Sequence, residues 1–181
     1  RHTAIEAIVS CEESERSIDL IPEFEIKIRE RFPQLGSMRR GGHNEILSLA
    51  HALEHAALGL QSQAGCPVTF SRTVQTIDVG VYQVVVEYTE EVVGRMAFDF
   101  AFGLIQATLS DVPFDLIAAL TELEALYEDV RLGPSTGSIV DAAVQRNIPY
   151  RRMTEGSMVQ FGWGSKQKRI QAAETSNTSA I

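Results

Sequence analysis

The stretch VTFSRTVQTI–DVG–VYQVVVEY, Val68 to Tyr88, constrains the fold more than any other part of the chain. Both arms are rich in β-branched and aromatic residues, which suit a pleated, half-buried surface. Asp78 to Gly80 supply turn chemistry between them. The pattern predicts an antiparallel hairpin in which Tyr82, Val84, Val86 and Tyr88 face one way. A lone hairpin is marginal in water and needs a second layer over its apolar face. The next segment can provide it: TEEVVGRMAFDFAFGLIQATL predicts a helix with Thr89 as N-cap. Glu90 and Glu91 fall in its first turn, where the helix dipole favours acids.

The flanking sequence is also mostly helical. Ala4 to Glu12 suits a short strand. Ile21 to Pro33 predicts a helix with Pro22 in its first turn and Phe24, Ile28 and Phe32 on one face. Gly41 and Gly42 break regular structure. A helix over about Asn44 to Gln61 follows, with Leu49, Leu53, Ala56 and Leu60 as its core stripe and His51, Glu54 and His55 on the other side. Another helix begins near Pro113. Leu132 to Ser138 predicts a linker, and Ser138 to Arg146 a helix opened by a Ser138/Asp141 capping box. Ser157 to Glu174 predicts strand, turn and strand. These elements imply an α+β two-layer sandwich over residues 1–130, with a hairpin packed on helices. In residues 131–181 a segment of β–α–β style begins.

Composition excludes some functions. The net charge of −8 argues against a nucleic-acid-binding domain. No apolar run reads as a membrane span, and no signal peptide is visible. Cys11 and Cys66 are too few for a disulfide framework or a cysteine zinc site, and they fit a reducing cytoplasm. The start at Arg1 and the stop at SNTSAI read as cuts in a longer chain. Basic residues cluster at Met38–Arg40, Tyr150–Arg152 and Lys166–Arg169, so an acidic protein with basic patches could hold a substrate of both charges.

HALEH, His51 to His55, is the motif with the sharpest chemical meaning. Histidines at i and i+4 project from one helix face and can share a zinc ion, while a glutamate at i+3 can take a proton from metal-bound water. This is the H-x-x-E-H order. A hydrolytic zinc needs a third protein ligand. Glu91 ranks first for that role on topology, ahead of Glu90, Glu87, Glu122, Glu124 and Glu128. The competing reading is an ordinary polar helix face. Two features favour the metal: three of the chain's four histidines (His43, His51, His55) fall in one short segment, and the motif lies on a strongly helical stretch. FGWGSKQ matches no phosphate-loop pattern and predicts a tight turn. Trp163 and Phe161 are assigned to core packing, and Cys66 to a structural role.

Several stretches together resemble the N-terminal region of cyanophycin synthetase. They are HALEHAALGLQSQAGCPVTFSRT, GVYQVVVEY with the following EEVVGR, LGPSTGSIVDAAVQRNIPY, and MVQFGWGSKQKRIQAAETSNTSAI. The resemblance runs from about Ala7 to Ile181. It implies a domain that holds a polymer of aspartate backbone and arginine side chains, joined at residues 131–181 to the start of an ATP-grasp domain. ATP and magnesium would serve only ligase domains outside this chain. In some members of the family this domain carries a zinc-peptidase-like site that cuts polymer into primers. Carried over, His51 and His55 become metal ligands and Glu54 the base. The alternative is a non-catalytic docking domain in which the H-x-x-E-H helix is vestigial. The resemblance also implies a homo-oligomer. Arg39, Arg40, Arg151 and Arg152 are the candidates for pairing with polymer carboxylates. Gly59 departs from the family, which usually has glutamate there, and SRTVQT stands where GRTRET is usual.

Overall fold

The computed structural model describes residues 3–39, 46–153, 156–171 and 174–175, and it divides into two compact units, Arg1–Glu128 and Asp129–Ile181. The first is an α+β sandwich. Its sheet has the order β1-β3-β2, all antiparallel, with β1 at Ala4–Ser10, β2 at Ser71–Gln75 and β3 at Val81–Glu87. The predicted hairpin is β2 and β3, and the N-terminal strand closes on its other side. Tyr82, Val84 and Val86 are buried on one face, as the alternation requires. The hairpin turn ends at Gly80, whose φ is 82°. A Cβ there would lie 2.8 Å from the carbonyl oxygen of Cys11, so glycine also permits the contact that starts the β1–β3 ladder.

Helices α2 (Leu49–Gln63) and α3 (Glu91–Leu109) pack on this face and on each other, α2 over β2 and β3, α3 over β1. Gly94 of α3 makes the close approach possible: a Cβ there would stand 2.7 Å from Tyr88 Cβ and 3.2 Å from Ile5 Cδ1. Helix α1 (Phe24–Arg31) lies on α3, with Phe24 and Ile28 buried as predicted. Phe32, just past its end, is fully buried, and its ring meets the space over Gly59 of α2. Lys27 and Arg31 hold Asp111 at 3.1 and 3.0 Å.

Four expectations need correction. Helix α2 starts at Leu49, because Ser48 takes an extended conformation and caps it. Helix α3 is capped by Glu90 rather than Thr89. By length and composition α3 is apolar enough to cross a membrane, contrary to the sequence reading; among its residues Val93, Ala97, Ala101, Leu104 and Ile105 are buried within the unit. The polar side of α2 is not a solvated face, since Glu54 is only 2% exposed.

Helix α4 (Leu116–Val130) begins after Pro113, with Asp115 accepting the N–H of Ala118 at 2.9 Å. In the second unit α5 runs from Pro134 to Gln145, starting four residues before the predicted cap. Proline at N1 has its φ preset and needs no partner for an N–H, while Ser138 bonds back to the Pro134 carbonyl at 2.8 Å. An antiparallel sheet follows, β4-β5-β6-β7, at Tyr150–Arg152, Val159–Phe161, Lys168–Gln171 and Glu174–Thr175. Its described strands form a meander and not a β–α–β crossover. Connections this short, with Gly162 and Gly164 at φ 69° and 58°, can only reverse the chain. Val140, Val159 and Ile170, with Leu132 and Phe161 against them, form its small core. Trp163 is 67% exposed and does not join that core.

Candidate functional site

The first turn of α2 shapes the site. Ser48 caps the helix, and its backbone N–H donates to Nδ1 of His51 at 3.1 Å in a capping box. Glutamate or glutamine usually fills the third helical position of such a box; here an imidazole does. The Ser48 hydroxyl lies 2.9 Å from the same nitrogen. The His51 ring also stands edge-on to Tyr82 of β3, with centroids 5.8 Å apart. One turn on, Glu54 and His55 project beside it. All three line one pocket of about 190 Å³.

The rest of that pocket comes from Met38 and Leu47, both buried, and from Arg72 and Thr73 of β2. It therefore combines an almost fully buried carboxylate, two imidazoles and a hydroxyl with an apolar floor, while Arg72, next to Thr73 on β2, is exposed. The Thr73 hydroxyl oxygen is buried without a hydrogen-bond partner. A buried polar atom left unsatisfied is costly, and a ligand group that met it would recover that cost. The sequence reading missed Arg72 and Thr73. A signal for Thr73 exists: SRTVQ has polar residues on both faces, so the inward Thr73 must meet something polar, whereas its neighbour Arg72 is exposed.

The donor set can be tested against zinc. His51, Glu54 and His55 come together as the motif implies. Glu91 does not join them. It sits exposed at the start of α3, and its carboxylate pairs with Arg95 at 2.7 Å. Glu87 accepts the backbone N–H groups of Thr69 and Phe70 at 2.7 and 2.8 Å, which fixes the approach to β2. Glu122, Glu124 and Glu128 lie on exposed positions of α4. Among the described residues, no group of three His, Cys, Asp or Glu side chains is arranged to hold a metal. Zinc on Nε2 of His51 would also require the proton on Nδ1. That proton could go to the Ser48 hydroxyl, but the Ser48 N–H would lose its acceptor. The described residues thus offer two imidazoles and a base, and they do not complete a three-ligand zinc site.

The four arginines are placed differently from one another. Arg39 is largely buried and ion-paired, to Asp19 and to Glu25 at 3.4 Å. Arg40 lies outside the described residues. In the second unit Arg151 is exposed, while Arg152 donates to the carbonyls of Gly156 at 3.0 Å and Val130 at 2.6 Å. Cys66 is buried after α2. Burial pushes its thiol up to about 11, with a Thr89 hydrogen bond working against the shift and the Glu90 carboxylate adding to it.

Residues 7–110 match the family model described as the cyanophycin synthase-like N-terminal domain. Among curated relatives, the cyanophycin synthetase of Geminocystis herdmanii is 35% identical over 180 residues, covering 93% of this chain and 21% of that protein. That of Crocosphaera subtropica is 40% identical over 149 residues, covering 78% and 17%. That of Trichormus variabilis is 38% identical over 136 residues, covering 74% and 15%. The chain thus spans about a fifth or less of the length of these relatives. The matched residues include the whole of the β1-β3-β2 sheet except the start of β1, and all of α2 with its pocket. The chain belongs to the cyanophycin synthase-like N-terminal domain family.

Proposed function

We propose that this chain is the N-terminal region of a cyanophycin synthetase and that it holds the aspartate/arginine polymer for ATP-dependent chain extension. The observation that supports this reading is one pocket lined both by Glu54, nearly buried, and by Arg72, exposed on β2. A polymer unit carries a guanidinium and carboxylates, so the Glu54 carboxylate in the pocket and the exposed Arg72 cation on the adjoining strand complement its two charges. The nearly buried Glu54 carboxylate lies in reduced dielectric, where it attracts a cation more strongly than it would on an open surface. Arg151 offers a further exposed cation in the second unit. Arg39 is engaged in holding Asp19 and Glu25 and contributes to the local structure.

The test is direct binding of soluble cyanophycin to the purified chain at several ionic strengths. Binding should be measurable at low salt and weaken as salt screens the charges. Undetectable binding at low ionic strength would remove the polymer-holding role.

A second reading, a zinc-dependent hydrolytic site, is favoured by one observation: His51, Glu54 and His55 line the same pocket. It needs a third ligand beyond those the described residues bring there. Elemental analysis separates the two. The hydrolytic reading requires close to one equivalent of zinc, lost in His51→Ala, together with shortening of cyanophycin that Glu54→Gln abolishes. Metal-free protein that still binds polymer leaves the holding role alone.

A further inference from the structure

We infer that the outer edge of β2 at Thr73 and Gln75 takes up an extended polyamide main chain as an added strand, so that the pocket receives one substituent of that chain at a time. This rests on the polymer-holding reading and specifies how the polymer is gripped.

Among the described residues, strand β2 has β3 on one side and no strand on the other. The phase of the ladder decides which main-chain groups face outward. Glu87 N–H donates to the Phe70 carbonyl at 2.9 Å, and Thr76 N–H to the Val81 carbonyl at 2.8 Å. Bonded pairs alternate along an antiparallel ladder, so Arg72 and Val74 turn their main-chain groups toward β3. Thr73 and Gln75 turn theirs outward. Among the described residues, neither has a main-chain hydrogen bond on that side. Such an edge is a ready template for another strand.

The register then sets what enters the pocket. Thr73 stands opposite Val84, which is fully buried, so its side chain is on the face covered by α2. A residue bonded to Thr73 from outside would be directly opposite it and would project its substituent onto the same face. That face holds the pocket with Glu54, and the unpartnered Thr73 hydroxyl. A cationic substituent would meet the carboxylate; the next substituent along would point to the other side of the sheet. The opposite edge provides a control. Cys11 N–H donates to Gly80 and Tyr88 N–H to Thr3, so Glu6 and Ile8 of β1 face outward in the same way. Neither lines the pocket.

The test is amide hydrogen exchange on the full 181-residue chain, residue by residue, with and without soluble cyanophycin at low ionic strength. Exchange at Thr73 and Gln75 should slow by about tenfold or more on binding, and Glu6 and Ile8 should not change. As a second arm, Thr73→Pro deletes an outward N–H without touching the ladder to β3, a position where an edge strand tolerates proline. It should weaken polymer binding by about fivefold, while Glu6→Pro should not. Polymer that binds with Thr73 and Gln75 unprotected, or that protects Glu6 and Ile8 instead, overturns the edge and leaves the holding role intact. Absence of binding overturns both.

Discussion

Ser48 donates its backbone N–H to Nδ1 of His51 across 3.1 Å, so the residue that starts the H-x-x-E-H pattern also caps the helix that carries it. A fold requirement and a functional position coincide in one imidazole. The contact satisfies one main-chain donor at the helix entrance and orients the ring against Tyr82.

The capping contact has a measurable stability. His51→Ala removes the acceptor and should lower stability by ~1 kcal/mol in urea denaturation. His51→Gln can restore an acceptor at the same helical position and should recover most of that loss. Equal losses in the two variants would show that ring packing on Tyr82, and not the cap, is what His51 contributes.

Gly94 should be intolerant of even a methyl group. In an open helix, glycine to alanine gains about 1 kcal/mol. Here the new Cβ would meet Tyr88 Cβ at 2.7 Å, and both belong to packed elements. Gly94→Ala should therefore destabilise the chain by ~1–3 kcal/mol, read as a lower urea midpoint at unchanged slope. A stabilised variant would contradict the close packing of α3 on the sheet.

Cys66 gives a pH dependence. Its thiol ionises at about 11 in the folded chain against the ordinary 9.0, because burial disfavours the thiolate. The folded chain holds the proton more tightly than the unfolded chain does. That contribution to stability is complete below pH 9 and is lost as pH rises from 9.0 to about 11. Stability should fall over this interval, and Cys66→Ala should make the fall shallower. Rapid alkylation of Cys66 by iodoacetamide in the folded protein near neutral pH would contradict the buried thiol.

Much of the first unit was legible because periodicity reports local geometry. Tyr82, Val84 and Val86 alternate, and they are the buried face of β3; Phe24, Ile28 and Phe32 recur at helical spacing and are buried together. Helix starts were less legible, since Ser48 and Pro134 act through backbone conformation that side-chain periodicity does not encode. Pairing was hidden as well. Nothing in Ala4–Ser10 announces β3 as its partner, and nothing in SRTVQ announces that Thr73 will face His51 across a pocket. Glu54 is the instructive residue of the site. Its place on the polar side of α2 was read correctly, but its burial goes with a pocket that Met38, Leu47 and Thr73 of β2 also line, which helical periodicity does not report. Glu91 illustrates the converse: chain order brings it near the end of the hairpin, and its own helix supplies Arg95 as a partner one turn away.

The most direct measurement of the central claim is the affinity of soluble cyanophycin for the wild-type chain, Glu54→Gln and Arg72→Gln, each at two ionic strengths. Both substitutions keep side-chain length or polarity while removing one charge, that of the buried Glu54 or that of the exposed Arg72. Each should weaken binding by about tenfold at low salt and flatten its salt dependence, with the folded state intact by circular dichroism. Wild-type affinity and salt dependence in both variants would show that the polymer is held elsewhere, and would contradict the assignment of this pocket to it.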